Sequence, residues 1–338
     1  MKQKIKVVQY GIGPIGAGVV ELLLSKEQFQ IVGAIDVDPN KVGKDLGEVA
    51  GVGKELGVIV SNDPKKVFLA AKPDVVVHTT SSFLRNVKDQ LAGIIKSGLD
   101  VVSSCEELAY PWTQHPELAK EIDRLAKKYK VTVLGTGVNP GFAMDTLVIA
   151  LTGVCHDVKK ISVSRVQDAS IRRVPFQRKI GAGLTLEGFN RKVAEGTFGH
   201  IGLPESMSMI AAAVGWKIDE IKQEIEPVIA DAHVESSQIK VEAGRCAGIQ
   251  QIAHGFMTGT EVLTLLLRAV IGEKNARDEI DIEGIPNINM VTKGAIHGDF
   301  ATTGIIVNMI PKVLSAKPGL LTMKDLPVPS ALMTVKAS

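Results

Sequence analysis

Apolar positions along the first 140 residues come in short continuous runs separated by stretches with helical spacing. Residues 4–10 form a β-branched apolar run, 15–25 a helical stretch, and 31–35 a second apolar run ending on Asp36. The alternation continues with a strand at 58–60 and a helix capped by Asn62 or Asp63 with Pro64 in its first turn. A strand at 75–80, a helix over 84–97 closed by Gly98, a strand at 99–103, a helix over 116–129 and a strand at 131–134 follow. Residues 43–57 read as irregular. Continuous apolar strands alternating with helices predict a doubly wound parallel sheet with right-handed connections, which collects ligands at the carboxyl ends of its strands.

The turn Gly11-Ile12-Gly13-Pro14-Ile15-Gly16 sits between the first strand and its helix, and Asp36 lies twenty residues past Gly16. Gly11 allows the tight turn, Gly13 lets the backbone approach a pyrophosphate, and Gly16 lets helix and strand pack closely. The helix N-terminus, from Pro14 and Ile15, offers N–H groups to negative charge. Asp36 is placed to accept from the adenosine ribose hydroxyls. Its charge favours NAD over a 2′-phosphate, and Lys41 nearby leaves some NADP use open.

After residues 135–141 the pattern changes. A short helix at 143–151 precedes longer alternating runs at 159–166, 238–242, 250–256, 261–270 and 279–282. These predict an open mixed or antiparallel sheet, with helices over 186–195, 205–214 and 219–228. The fold class is therefore α/β, an N-terminal Rossmann doubly wound sheet plus a second α+β domain. The expected divisions are a dinucleotide-binding domain over 1–138, a substrate and dimerisation domain over 139–298, and a segment over 299–338 that returns to the first domain. That segment combines a strong helix pattern at 302–314 with a loop-like end at 318–326.

Composition narrows the function classes. The 338 residues are 45% apolar and 22% charged, with net charge +2, which argues against nucleic-acid or membrane partners. Aromatics at 4% leave few stacking surfaces for single strands. Three widely spaced cysteines suggest a reducing compartment and no zinc site. Lys2 and Lys4 lead into a strand rather than a leader, and no run reaches membrane-spanning length, so a cytoplasmic location is expected.

Three strand ends could carry chemistry. Thr79, Thr80 and Ser81 form a hydroxyl-rich loop suited to ribose or amide contacts, or else to capping the helix before Leu84. Glu106 and Glu107 follow a buried strand. One would face the nicotinamide as a general base and the other solvent or the next helix, unless both are solvated or help start a helix near Leu108. Residues 137–142 form the third end, where Asn139 is placed at the cofactor. Cys105 reads as a packing residue, since its acidic neighbours disfavour a thiolate. His78 reads as a satisfied core residue, and no histidine pair has metal-ligand spacing. The basic cluster Arg165, Arg172, Arg173, Arg178 and Lys179 either clamps a carboxylate or is a solvated loop.

These motifs, with Gly298-Asp299-Phe300-Ala301-Thr302 and Ala316-Lys317-Pro318-Gly319-Leu320-Leu321-Thr322-Met323, resemble the 2,4-diaminopentanoate dehydrogenases, grouped with the native amine dehydrogenases. The resemblance runs nearly end to end. It implies an architecture shared with dihydrodipicolinate reductase and, more loosely, with homoserine and diaminopimelate dehydrogenases. The chain lacks the reductase's His-His and Lys signature, having Lys179-Ile180-Gly181-Ala182-Gly183 there. It has Glu106 where homoserine dehydrogenases have a lysine. The activity implied is reversible NAD(P)-dependent oxidative deamination, most directly of 2,4-diaminopentanoate to 2-amino-4-oxopentanoate and ammonia. The resemblance puts Glu106 in the catalytic role, with Phe142, Asn139, Arg165, Gln167, His254 and Thr302 at the pocket. It implies no metal. The open second sheet suggests a homodimer. Another amino-acid or imine oxidoreductase, or a non-catalytic dinucleotide sensor, would fit the same scaffold.

Overall fold

The β-branched runs bounded by glycine, proline or polar turns form the strands. The first six are β1 (Ile5–Tyr10), β2 (Phe29–Ile35), β3 (Val60–Ser61), β4 (Val75–His78), β5 (Asp100–Ser103) and β6 (Thr132–Gly135). Then come β7 (Asp157–Asp168), β8 (Glu220–Ile229), β9 (Val234–Glu235), β10 (Lys240–Val241), β11 (Cys246–Met257), β12 (Thr260–Val270), β13 (Arg277–Ile285), β14 (Ile288–Lys293) and β15 (Gly319–Leu321). The computed structural model describes residues 4–196 and 198–333. Lys2, used in the reading of the N-terminus, lies outside the described residues. The chain divides into two compact units, Met1–Phe142 with Asp299–Ser338, and Ala143–Gly298. The first division falls after Phe142 rather than at 138.

The first unit holds a seven-stranded sheet in the order β15-β6-β5-β4-β1-β2-β3, and its pairings are parallel. The order reverses at β1, between β2 and β4, so the carboxyl ends of β1 and β4 flank the switch point where such sheets bind ligands. Val8, Val76, Val101 and Val133 are fully buried beneath Leu84, Leu91, Ile94, Ala119 and Ile122 of the covering helices. Pro14, Pro64, Pro111 and Pro116 each open a helix, where the missing N–H costs nothing. The loop-like end expected at 318–326 is instead β15 plus a single turn at Met323–Asp325. Leu320 is buried there, and Thr322 and Asp325 cap each other. Within 43–57, read as irregular, Asp45 caps a five-residue helix, Leu46–Ala50.

The second unit holds a six-stranded mixed sheet in the order β14-β13-β7-β12-β11-β8, with β9 and β10 as a separate pair. The β12–β7 pairing is parallel and the others are antiparallel. The helix expected over 219–228 is a strand, β8. Ile221, Ile225 and Val228 are spaced i, i+4, i+7, which mimics a helical stripe. Pairing with β11 along its length fixes the extended form. As an edge strand β8 also tolerates Pro227. One face of the sheet packs Ile161, Val163, Leu263, Leu265 and Ile280 against Leu203, Met207 and Ile210 of the helix Leu203–Val214.

Candidate active site

The glycine turn is built from packing constraints at two of its three positions. Gly11 has φ +88°, and a Cβ there would lie 2.5 Å from the Thr79 carbonyl oxygen. A Cβ on Gly16 would lie 2.1 Å from the Gly11 carbonyl oxygen. Gly13 differs, since a Cβ there would meet nothing within 4 Å. Protein packing therefore demands the first and third glycines, while the middle one borders open space. Gly13 is also the N-cap of the eleven-residue helix Pro14–Leu24, and no side chain caps that helix. Uncapped N–H groups beside open space fit a pyrophosphate.

Asp36, at the end of β2, is 8% exposed. It accepts from the Ile12 N–H at 2.8 Å, the Asp38 N–H at 3.0 Å and Lys41 Nζ at 3.0 Å. Burial pushes its pKa up, but those donors together outweigh burial and hold the carboxyl below the usual range. It stays ionised at neutral pH, and a carboxylate's four acceptor positions leave room for a ribose hydroxyl. Lys41 also donates to the Ile12 carbonyl at 3.1 Å, so the expected neighbour is a direct partner of the turn.

The hydroxyl loop makes several bonds within the fold. Thr79 Oγ1 donates to the Gly11 carbonyl at 2.7 Å and accepts from Gln9 Nε2 at 2.8 Å. Thr80 Oγ1 donates to Gln90 Oε1 at 2.8 Å, and Ser81 Oγ accepts from the Phe83 N–H at 3.3 Å. Gln9, which sequence reasoning passed over, is fully buried with Oε1 unpartnered among the described residues. Its place on a strand made it look like one more core position.

His78 is the satisfied core residue expected, bonded to Ser103 Oγ at 2.9 Å and Gln90 Oε1 at 2.7 Å. Burial pulls its pKa down to about 4. Between the unfolded value near 6.5 and that value the unfolded chain binds more protons, so this stabilisation is lost as pH falls through the interval. Urea unfolding should show wild type losing about 2 kcal/mol more than His78→Gln between pH 7 and pH 5.

At the end of β5, Glu106–Leu108 form one helical turn. Glu107 Oε2 accepts from the Leu84 N–H at 2.6 Å, at the start of the helix Leu84–Lys96, whose N-cap Phe83 has no side-chain acceptor. The same oxygen meets His115 Nε2 at 3.0 Å. Glu107 thus stands in for the missing cap. Glu107→Ala should lower unfolding free energy by about 1–2 kcal/mol, read by chemical denaturation. Glu106 is half-buried beside it. Cys105 is buried, and burial and then the Glu106 charge push its thiol pKa up, so it is no nucleophile.

Residues 137–142 carry a cis Asn139–Pro140 bond. Thr302 belongs to the same unit, its Oγ1 accepting from the Val138 N–H at 3.4 Å. Asn139 is buried and Phe142 half-buried. The structure therefore brings Thr302 to the strand end that carries them.

In the second unit, Arg165 and Gln167 lie on β7 on the helix-covered face of the sheet. Arg165 is 1% exposed and donates to the Ile296 carbonyl at 2.5 Å and to Asp278 Oδ2 at 3.4 Å. Burial pulls its pKa down to about 10 against the Asp278 charge, so it remains cationic at neutral pH. Gln167 Oε1 accepts from Arg172 Nη1 at 2.6 Å. His254 does not join them. It pairs across from Thr264, whereas Ala253 and Leu265 line the Arg165 face. One residue of strand alternation puts His254 on the opposite face, bonded to Glu261 Oε1 at 2.9 Å. Sequence reasoning missed Gln251, which is 2% exposed and holds the His200 backbone through both its oxygen and its nitrogen. Burial, then Lys179, Arg165 and Arg172, pull the pKa of His200 down to about 3. Lys179, Arg165 and Arg172 of the basic cluster thus lie near the half-buried His200, while Arg178 is exposed. Among the described residues no group of three or more metal-ligating side chains is found, and no helix is long and apolar enough to cross a membrane.

Residues 142–338 match the family model of the 2,4-diaminopentanoate dehydrogenase C-terminal domain, and residues 5–133 that of the dihydrodipicolinate reductase N-terminus. The chain is 39% identical to the 2,4-diaminopentanoate dehydrogenase of Acetoanaerobium sticklandii, over 98% of this chain and 96% of that one. It is 24% identical to an amine dehydrogenase of Streptomyces virginiae, over 97% and 98% of the two chains. The structure of an amine dehydrogenase from Mycobacterium smegmatis superimposes with TM-score 0.87 at 29% identity, covering 98% of each chain. A dipicolinate-bound dihydrodipicolinate reductase from Paenisporosarcina sp. TG-14 shares the fold alone, with TM-score 0.54 at 13% identity over 96% and 99% of the two chains. The protein is an NAD(P)-type oxidoreductase, and the chain belongs to the 2,4-diaminopentanoate dehydrogenase family.

Proposed function

We propose that the protein catalyses reversible oxidative deamination of 2,4-diaminopentanoate to 2-amino-4-oxopentanoate and ammonia, with NAD preferred and NADP accepted. The observation that carries the reading is the division of labour at the end of β5. Glu107 is committed to the helix Leu84–Lys96 and to His115, and we assign the chemistry to Glu106, the neighbouring acid. The nicotinamide, when bound, supplies the hydride acceptor. Gly11, Gly13, Gly16 and the first turn from Pro14 and Ile15 would hold the pyrophosphate, Asp36 the adenosine ribose, and Asn139 the nicotinamide end. Thr79, Thr80 and Ser81 shape that strand end by bracing the turn and the helix behind it.

Glu106 takes a proton from the substrate ammonium. The freed nitrogen lone pair then drives hydride departure from the same carbon and leaves a C=N iminium. The carboxylate, now reprotonated by the amine, returns to its base form through solvent and stabilises the iminium charge. It next takes a proton from water as the water oxygen bonds to the iminium carbon. The resulting amino alcohol loses ammonia to give the ketone. Phe142 and Thr302 border this strand end.

Asp36 sets the NAD preference by repelling a 2′-phosphate, and Lys41 at 3.0 Å moderates that repulsion. We place the enzyme in the cytoplasm, consistent with three free cysteines. We take it to be a homodimer joined through the half-buried face of the second sheet that carries Ser162, His254 and Thr264. The reading is tested by NADH formation across 2,4-diaminopentanoate, a simple secondary-carbon amine and homoserine. Turnover of the first supports it. Cofactor binding with no turnover on any amine indicates a sensor instead.

A further inference from the structure

We propose that Gln9 is a positioning residue for the cofactor: by fixing the Gly11–Ile12 peptide from behind the glycine turn, it sets the Asp36 carboxylate that chooses between NAD and NADP. The inference rests on the proposed seat of the dinucleotide and deepens it. Coenzyme choice then depends on a buried side chain behind the turn as well as on the acid at the ribose.

Gln9 is fully buried on β1, between Ala34 of β2 and Val77 of β4. Its Nε2 donates to the Gly11 carbonyl and to Thr79 Oγ1, both at 2.8 Å. Thr79 Oγ1 donates to the same carbonyl at 2.7 Å. The three groups close a small ring around one carbonyl oxygen. Gly16 leaves room for the ring, since a Cβ there would lie 2.1 Å from the Gly11 oxygen, 2.8 Å from Thr79 Oγ1 and 3.0 Å from Gln9 Nε2. Only the amide nitrogen can face that carbonyl, so Oε1 is left over, without a partner among the described residues. An unpaired buried oxygen is costly, and an apolar residue would avoid the cost. Packing of β1 does not call for a glutamine there. The Gly11 carbonyl does.

A trans peptide is planar, and its C=O and N–H point in opposite directions. Holding the Gly11 carbonyl inward therefore aims the Ile12 N–H the other way, where it donates to Asp36 Oδ2 at 2.8 Å. The Gly11 N–H donates to the Ile35 carbonyl at 2.8 Å, one residue before Asp36. The turn thus grips the end of β2 at two points, and Gln9 and Thr79 hold the peptide between them. Lys41 and the Asp38 N–H also donate to Asp36, but they come from the loop that follows it. The Ile12 N–H is the donor that fixes the carboxylate relative to the pyrophosphate seat. When that peptide is free to tilt, the carboxylate meets the ribose hydroxyls less squarely, and its charge stands less directly against a 2′-phosphate.

The test compares the full-length wild type with Gln9→Met, Thr79→Val and Thr79→Ser. Calorimetry measures the NAD and NADP dissociation constants of each, and hydrogen exchange follows the Ile12 amide in the free proteins. In Gln9→Met and Thr79→Val the ratio of the NADP to the NAD dissociation constant should fall about tenfold, the usual worth of one hydrogen bond, and the Ile12 amide should exchange faster. Thr79→Ser keeps the hydroxyl and should stay near wild type in both. General damage to the fold would weaken the two dinucleotides equally and leave the ratio alone. An unchanged ratio in folded Gln9→Met therefore overturns the proposal. Should Gln9→Met fail to fold, Thr79→Val against Thr79→Ser decides on the same terms. If wild type binds neither dinucleotide, the proposed cofactor seat fails, and Ile12 exchange alone decides whether Gln9 sets the Asp36 contact, equal rates in Gln9→Met and wild type overturning it.

Discussion

Glu106→Gln is expected to lower amine oxidation by ~10²–10⁴-fold while NAD binding stays near wild type, the usual worth of a positioned general base. Glutamine keeps the shape and one acceptor oxygen but cannot take a proton. The substrate amine then stays protonated, and its lone pair cannot drive hydride departure. Because the lesion is in proton transfer, the fall should sit in kcat more than KM. It should shrink as pH rises and solvent deprotonates the amine directly. Glu107→Ala serves as the comparison. Its side chain caps the helix Leu84–Lys96, so its deficit should appear in stability and not in the pH profile of turnover. Wild-type turnover in Glu106→Gln would remove Glu106 from the mechanism.

The second large effect separates the glycines. Gly13→Ala should bind NAD about 10–10²-fold more weakly, the cost of one misplaced methyl at a close backbone contact. It should nonetheless unfold at or slightly above the wild-type temperature. Gly13 has φ −77° and ψ −172°, which alanine adopts freely, and its Cβ meets no protein atom. Gly16→Ala should do the reverse in stability. Its Cβ runs into the Gly11 carbonyl oxygen at 2.1 Å, and Thr79 Oγ1 lies at 2.8 Å. Backbone must move there, at a cost of about 1–3 kcal/mol or more, and the turn moves with it. Calorimetric titration with NAD and thermal unfolding, run on both variants, separate space kept for a ligand from space demanded by the fold. Equal NAD affinity in Gly13→Ala and wild type would contradict the pyrophosphate assignment.

The first unit was legible because its signals are local. Strand, glycine turn, helix and acid lie within residues 5–36, and each glycine's role follows from its neighbours in sequence. Misreadings arose where tertiary pairing chose between two local periods. Ile221, Ile225 and Val228 fit a helical stripe as well as a strand, and β11 decided for the strand. The segment at 318–326 carried turn residues, yet β6 recruits Gly319–Leu321 as an edge strand. The site shows the same limit. That the two adjacent acids would point different ways was readable from alternation, one of them toward solvent or the next helix; that Glu107 instead caps the helix before it depends on the Leu84 N–H, twenty-three residues upstream. His254 was misplaced by one step of strand alternation, which only register settles. Arg172 was visible as a member of a basic cluster. Sequence alone does not bring it together with Gln167, Phe176 and Gly298, its neighbours in the fold.

The central claim is that this chain removes an amine as ammonia while reducing NAD, and stoichiometry tests it most directly. With 2,4-diaminopentanoate and NAD, purified protein should release one ammonia for each NADH formed, and Glu106→Gln should lower both in parallel. NADH formed without ammonia, or no NADH from any amine despite normal NAD binding, would contradict it.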